Sequence, residues 1–172
     1  MPTTCCTLDF ILRPLKRWNA LLLIASLSFT FNTCVNAADA VDFRLLDLSG
    51  QSRSLSDYRG QWVIINFWAT WCAPCLKEIP ELVRFQKKNS ARAQVIGIDF
   101  EQTPIDEVQR FVRSLRMNYP VLRIGDQPLL PFEPLKGLPS TFFISPQGAI
   151  VHRHLGPITA DQLELWLNSQ TE

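Results

Sequence analysis

Residues 68 to 75 read "WATWCAPC". Only Ala73 and Pro74 separate Cys72 from Cys75, a spacing that admits three readings: a structural clip, half of a metal site, or a working redox couple. The flanking residues bear on the choice. Upstream, "QWVIINFW" (61–68) is an apolar run with Val63, Ile64 and Ile65 in succession, suited to a strand buried on both faces. Downstream, "APCLKEIPELVRFQKK" (73–88) places Leu76, Ile79, Leu82, Val83 and Phe85 at helical spacing, with Pro80 expected to kink the helix and Lys77 and Glu78 on its solvated face. With Cys72 closing the loop and Cys75 in the first helical turn, both side chains share one face, close enough for a disulfide. Cys72 then faces the helix N-terminus, where free N–H groups and the dipole stabilise a thiolate. That makes Cys72 the expected attacking sulfur and Cys75 the resolving one, placed to release a mixed disulfide.

The chain as a whole has 172 residues, 47% of them hydrophobic, enough for one domain and a leader. Its 17 basic and 16 acidic residues leave a formal charge of +1, which excludes the basic field that nucleic-acid binding needs. The first forty residues stand apart. Arg13, Lys16 and Arg17 precede the apolar run "WNALLLIASLSFTF" (18–31), and Val35 and Ala37 occupy the −3 and −1 places of a cleavage site, the layout of a secretory signal over residues 1–37. The run is shorter than the ~20 residues that span a bilayer. Cleavage before Ala38 is therefore the favoured reading, with a retained anchor as the alternative. "FNTC" (31–34) lacks the residues of a lipid-attachment box.

Removing residues 1–37 takes away Cys5, Cys6 and Cys34, so the domain at 38–172 keeps only Cys72 and Cys75 of the five cysteines. It also removes three of 17 basic and one of 16 acidic residues, leaving 14 against 15, a net charge of −1. An exported domain sits where disulfides persist. Closing so short a loop removes little unfolded-chain entropy, which makes a mere staple a poor explanation of the pair. Zinc held by the cysteines with His152 and His154 is the other bland reading, and two histidines two residues apart do not match usual ligand spacings.

The remaining pattern alternates strands with helices. "VDFRLLDLSGQSRSLSDY" (41–58) reads as a β-hairpin about Ser49-Gly50, and "QVIGIDF" (94–100) as a further strand. Thr103 and Pro104 read as N-cap and first position of a helix over "IDEVQRFVRSL" (105–115). Pro128, Pro131 and Pro134 forbid a regular helix in "GDQPLLPFEPLKG" (125–137). "LPSTFFISPQGAIVHRHLG" (138–156) gives two strands turning at Ser145–Gly148, and Thr159 with Gln162 sets a capping box for a closing helix with Leu163, Trp166 and Leu167 on one face.

"INFWATWCAPC" (65–75), "KEIPEL" (77–82) and "GLPSTFFISPQG" (137–148) together resemble the thioredoxin superfamily, and in detail its exported TlpA/ResA branch, which includes the cytochrome c maturation thioredoxins. The resemblance covers about residues 41–169. It implies an α/β thioredoxin fold, a central mixed β-sheet flanked by helices, with an added N-terminal β-hairpin. It further implies that Pro139 is a cis-proline beside the cysteines, exposing the Leu138 backbone as an edge where an extended substrate can pair. Asn66 stands where thioredoxins carry a buried, proton-moving aspartate, and an amide cannot titrate. Glu101 matches the position of an acidic residue of the branch near the cysteines, and is expected to accept the proton of Cys75. Trp71 is expected to wall the disulfide and, with Ala73, Pro74 and Leu138, to meet the substrate, while Trp68 packs inside. Relatives run a short helix where this chain has the proline-rich 126–137.

The expected function is that of an exported, periplasmic thiol:disulfide oxidoreductase, monomeric, without metal or other cofactor, its chemistry carried by the Cys72/Cys75 disulfide. It would reduce disulfides of exported proteins, apocytochrome c among them, with electrons from a membrane thiol-disulfide reductase. A disulfide oxidant or isomerase is the second enzyme reading, and a copper-, zinc- or haem-cargo binder using the same cysteines is the alternative of another class.

Overall fold

A computed structural model describes residues 40–125 and 131–170. The expected leader at 1–37 and part of the proline-rich segment, 126–130, lie outside the described residues. The chain divides into Met1–Thr33 and Cys34–Glu172, and every described residue belongs to the second unit.

Seven strands form one mixed sheet: β1 (Arg44–Asp47), β2 (Ser52–Ser54), β3 (Trp62–Trp68), β4 (Ala93–Asp99), β5 (Val121–Arg123), β6 (Ser140–Ile144) and β7 (Ile150–Leu155), in the spatial order β2-β1-β5-β4-β3-β6-β7. The helices are α1 (Ala73–Asn89), α2 (Ile105–Ser114) and α3 (Ala160–Ser169). Strand β3 is central, parallel to β4 with Trp68 opposite Asp99, and antiparallel to β6 with Phe67 opposite Ser140. Two parallel crossovers, β3-α1-β4 and β4-α2-β5, lead the chain outward on one side, and the β6-β7 hairpin adds strands on the other. Its turn closes with Gly148 N–H on the Ser145 carbonyl at 2.8 Å, Gly148 having φ +94°.

Side-chain alternation along β3 divides the core. Ile64 and Trp68 point to a cluster shared with Ile79, Leu82 and Phe85 of α1, Val108 of α2, and Leu163 and Leu167 of α3. Val63, Ile65 and Phe67 point to the opposite cluster, which among the described residues contains no α-helix residue. Its cover comes from Leu45, from Leu55 in a 3-10 turn after the hairpin, and from Phe132 in the proline-rich loop. The expected flanking by helices thus holds on one face, and loop residues do the work of a helix on the other. Phe132 is 2% exposed and its ring lies 5.0 to 5.8 Å from those of Phe142, Phe67 and Phe43. Phe132→Ala is therefore expected to destabilise the domain by about 3–5 kcal/mol, read as a lower urea midpoint at unchanged slope.

Local expectations hold with small shifts. Thr159 caps α3, its Oγ1 accepting from Gln162 N–H at 3.2 Å. The cap of α2 is Pro104 rather than Thr103, with no side-chain bond, so that helix begins one residue later than expected. Helix α1 runs without interruption through Pro80. The second arm of the N-terminal hairpin is only three residues long, since Leu55–Tyr58 coil into the 3-10 turn under a capping box of Ser54 and Asp57.

Candidate active site

The parallel β3-β4 pair ends at Trp68 and Asp99, and the antiparallel β6 begins at Ser140 beside Phe67, so three loops converge at one end of the sheet. They are Ala69–Cys72, Phe100–Thr103 and Gly137–Pro139. Cys72 is the N-cap of α1, and its Sγ accepts the Cys75 N–H at 3.4 Å. The two cysteines form a disulfide with a Cα–Cα distance of 5.3 Å. Cys72 is 4% exposed and Cys75 fully buried, while Trp71 is 68% exposed. The Leu138–Pro139 bond is cis, and Leu138 packs against both apolar clusters.

Glu78 overturns its expected place on the solvated face of α1, for it is 1% exposed. It lies three residues after Cys75, hence on the same helical face. Its Oε1 accepts from Asn66 Nδ2 at 2.7 Å and its Oε2 from the Ile158 N–H at 3.0 Å. Asn66 Nδ2 also donates to Thr141 Oγ1 at 3.1 Å, which ties the carboxyl to β3, β6 and the loop before α3. Burial pushes Glu78 up to about 7, against those two hydrogen bonds, which lower it. Asn66 Oδ1 has no hydrogen-bond partner among the described residues, so a proton on Glu78 would find an acceptor by a turn of the amide.

Glu101, the expected proton acceptor, is 8% exposed. Its Oε1 accepts from Thr70 N–H at 3.0 Å and its Oε2 from Thr70 Oγ1 at 3.1 Å. The carboxylate thereby fastens the loop two residues before Cys72. Beneath it, Asp99 is fully buried with Arg123 Nε on its Oδ2 at 3.1 Å, and Arg123 also donates to the carbonyls of Glu101 and Thr103. Burial first, and the charge of Glu101 next, raise Asp99 to about 7 despite Arg123. Neither Glu78 nor Asp99 was singled out by sequence reasoning as part of the site.

The histidines of the zinc reading are engaged elsewhere. His152 packs on Phe143 with ring centroids 5.1 Å apart, and His154 Nε2 lies 3.2 Å from the Pro157 carbonyl. Among the described residues no group of three or more His, Cys, Asp or Glu side chains is placed to hold a metal ion. No helix among them is long and apolar enough to cross a membrane. What the site can do chemically is move two electrons between a dithiol and a disulfide.

Comparison with known proteins agrees with this geometry. Residues 37–153 match the AhpC/TSA family. The chain is 32% identical over 157 residues to the thiol-disulfide oxidoreductase ResA of Bacillus subtilis, covering 86% of this chain and 87% of that one. Among solved structures it resembles a thiol:disulfide interchange protein DsbE of Chlorobium tepidum (TM-score 0.66, 29% identity, 77% of this chain and 94% of that one). It equally resembles an exposed lipoprotein thioredoxin of Streptococcus pneumoniae (TM-score 0.66, 28% identity, 75% and 99%). With its sheet order, its Cys72–Cys75 disulfide at a helix N-terminus and these likenesses, the chain belongs to the AhpC/TSA family of thioredoxin-like proteins, as a ResA-like thiol-disulfide oxidoreductase.

Proposed function

We propose that residues 1–37 export this protein, and that its 38–172 domain reduces disulfides of other exported proteins in the periplasm, apocytochrome c among its clients. The observation that carries the reading is the Cys72–Cys75 disulfide at the start of α1 with Glu78, buried and titrating near 7, one turn behind Cys75. Resemblance to an exposed lipoprotein thioredoxin supports export.

In the reduced protein, the Cys72 thiolate is stabilised by the N-terminus of α1 and by the Cys75 N–H. It attacks one sulfur of the client disulfide. That S–S bond breaks, a bond from Cys72 to client forms, and the first client sulfur leaves as a thiolate. Cys75 then loses its proton to the Glu78 carboxylate and attacks Cys72 Sγ. The mixed disulfide breaks, the second client thiolate leaves, and the Cys72–Cys75 bond forms. Two electrons have passed to the client, whose two sulfurs take up two protons, one by way of Glu78. A membrane thiol-disulfide reductase returns the electrons by the reverse exchange. Trp71, Ala73, Pro74 and the Leu138 backbone offer the client its contact surface, and Pro139 closes that surface behind the disulfide. Glu101 holds the Thr70 loop in register.

Equilibration of the purified protein against glutathione or dithiothreitol tests the direction of flow. A reductase is expected to give a potential at or below about −230 mV, the range of thioredoxin and the glutaredoxins. A value near about −120 mV, that of a strong periplasmic oxidant, would make it a disulfide donor instead.

A further inference from the structure

The proline-rich segment does more than cover the core with Phe132. Its described part, Pro131–Gly137, stands against the β6-β7 edge of the sheet and leaves a cleft of about 280 Å³. Phe142 contributes an aromatic surface, Pro134 and Leu135 line the loop side, and Lys136 and Arg153 line it as well. Among the described residues the lining includes His154 and no carboxylate. Glu133, the acid of this stretch, is exposed and does not line the cleft. The Arg153 guanidinium lies over the Phe142 ring, 5.3 Å from its centroid, an arrangement that holds the cation in place while its N–H donors remain free for a ligand. Among the described residues neither Lys136 nor Arg153 forms an ion pair.

Two hydrogen bonds and the position of Ser140 fix this cleft next to the client-facing loop. Ser140 Oγ donates to the Gly137 carbonyl at 2.6 Å, Gly156 N–H donates to the Pro139 carbonyl at 2.9 Å, and Ser140 itself lines the cleft. Leu138 and Pro139 therefore lie between the disulfide-bearing end of β3 and the cleft, in continuous sequence with Lys136. Strand β7 is the terminal strand of the sheet, so its outer backbone edge has no neighbouring strand among the described residues. A chain lying extended across Leu138 would carry its next side chains toward Lys136, Arg153 and an aromatic ring.

We propose that this cleft is a specificity site for the client polypeptide, and that it takes an Asp or Glu side chain located close in sequence to the disulfide under attack. The inference rests on the reductase reading above and names the class of client that reading leaves open. The carboxylate pairs with Arg153 and Lys136, and the aliphatic part of the client residue lies on Phe142 and Leu135. Electrostatic attraction of this kind acts on the encounter, so it raises the rate of mixed-disulfide formation and weakens with salt.

The test uses the pre-reduced protein and two short synthetic peptides, each closed by its own disulfide. They differ only in carrying Glu or Gln two residues before the first cysteine and two after the second. Uncharged hydroxyethyl disulfide serves as the reference substrate. The expected result is a reduction rate about tenfold higher for the Glu peptide at low salt, a ratio that shrinks as salt is added. In K136S/R153S the ratio should fall to near one, and in K136E/R153E it should fall below one. Equal rates for the two peptides in the wild type, with hydroxyethyl disulfide reduced normally, would overturn the cleft and leave the reductase reading standing. A Glu preference that persists in K136S/R153S would also overturn it. Failure to reduce hydroxyethyl disulfide at all would overturn both.

Discussion

Exchanging Cys75 for Ser is expected to leave the first exchange step intact and to stop the second, so that the protein accumulates as a one-to-one mixed disulfide with its client. The reason is positional. Cys75 follows Cys72 by one helical turn, fully buried, with its N–H on Cys72 Sγ. That placement makes release an intramolecular reaction, whose effective molarity far exceeds any free thiol supplied from solution. Without it, turnover depends on outside thiol and should drop by a factor on the order of a thousand or more. Serine is close in volume, so the fold is retained, which thermal unfolding of C75S checks. Cys72→Ser, in contrast, should form no mixed disulfide at all. Trapping by C72S with release by C75S would reverse the assigned roles. Non-reducing gels and mass spectrometry of the trapped species, after mixing with a disulfide-bonded client, read the difference directly.

The pairing of Cys72 with Cys75 at a helix start was legible because helical spacing and strand-to-helix order are local properties of the sequence. The same holds for β3, whose unbroken apolar run admits little but a doubly buried strand, and for α3, whose capping box is spelled out in Thr159 and Gln162. Other features depended on partners distant in sequence. Glu78 reads as a surface acid when charge alone is weighed. Its spacing from Cys75, Leu82 and Phe85 nevertheless puts it on the buried stripe of α1, and that periodicity was the signal available. What makes such burial tolerable, the bonds from Asn66 and Ile158, spans 12 and 80 residues and cannot be seen in a window. Asn66 itself drew notice only for what it is not. In the structure it is the residue that joins the carboxyl to the sheet. The proline-rich loop was legible as non-helical, while the insertion of Phe132 among Phe43, Phe67 and Phe142 required the sheet to exist first.

Glu78→Gln is expected to slow release of the mixed disulfide by about a hundredfold at pH 8, the lower range for loss of a positioned general base. It should also remove a titration near pH 7 from that step. In the wild type the carboxyl accepts the Cys75 proton only when ionised, so the release rate rises with pH through about 7; the amide has no such transition. A purely structural role for Glu78 would lower the rate without altering the shape of the profile, and an unaltered profile would remove Glu78 from the proton path. The same substitution carries a stability signature of definite sign. Folding raises the Glu78 carboxyl from 4.5 to about 7, so between those values the folded state holds a proton that the unfolded state has lost. Stability from this group is complete below about pH 4.5 and is lost as pH rises through about 7, a change on the order of 3 kcal/mol. Asp99, raised to about 7 by burial, contributes in the same direction. The oxidised wild type should therefore show a lower urea midpoint at pH 8 than at pH 5, and E78Q should keep only the part of that fall that belongs to Asp99. At pH 5 the protonated acid and the introduced amide both offer Asn66 and Ile158 one carbonyl acceptor and one donor group, so E78Q should be about as stable as the wild type there, and should be the more stable of the two by pH 8, where the wild-type carboxyl is ionised.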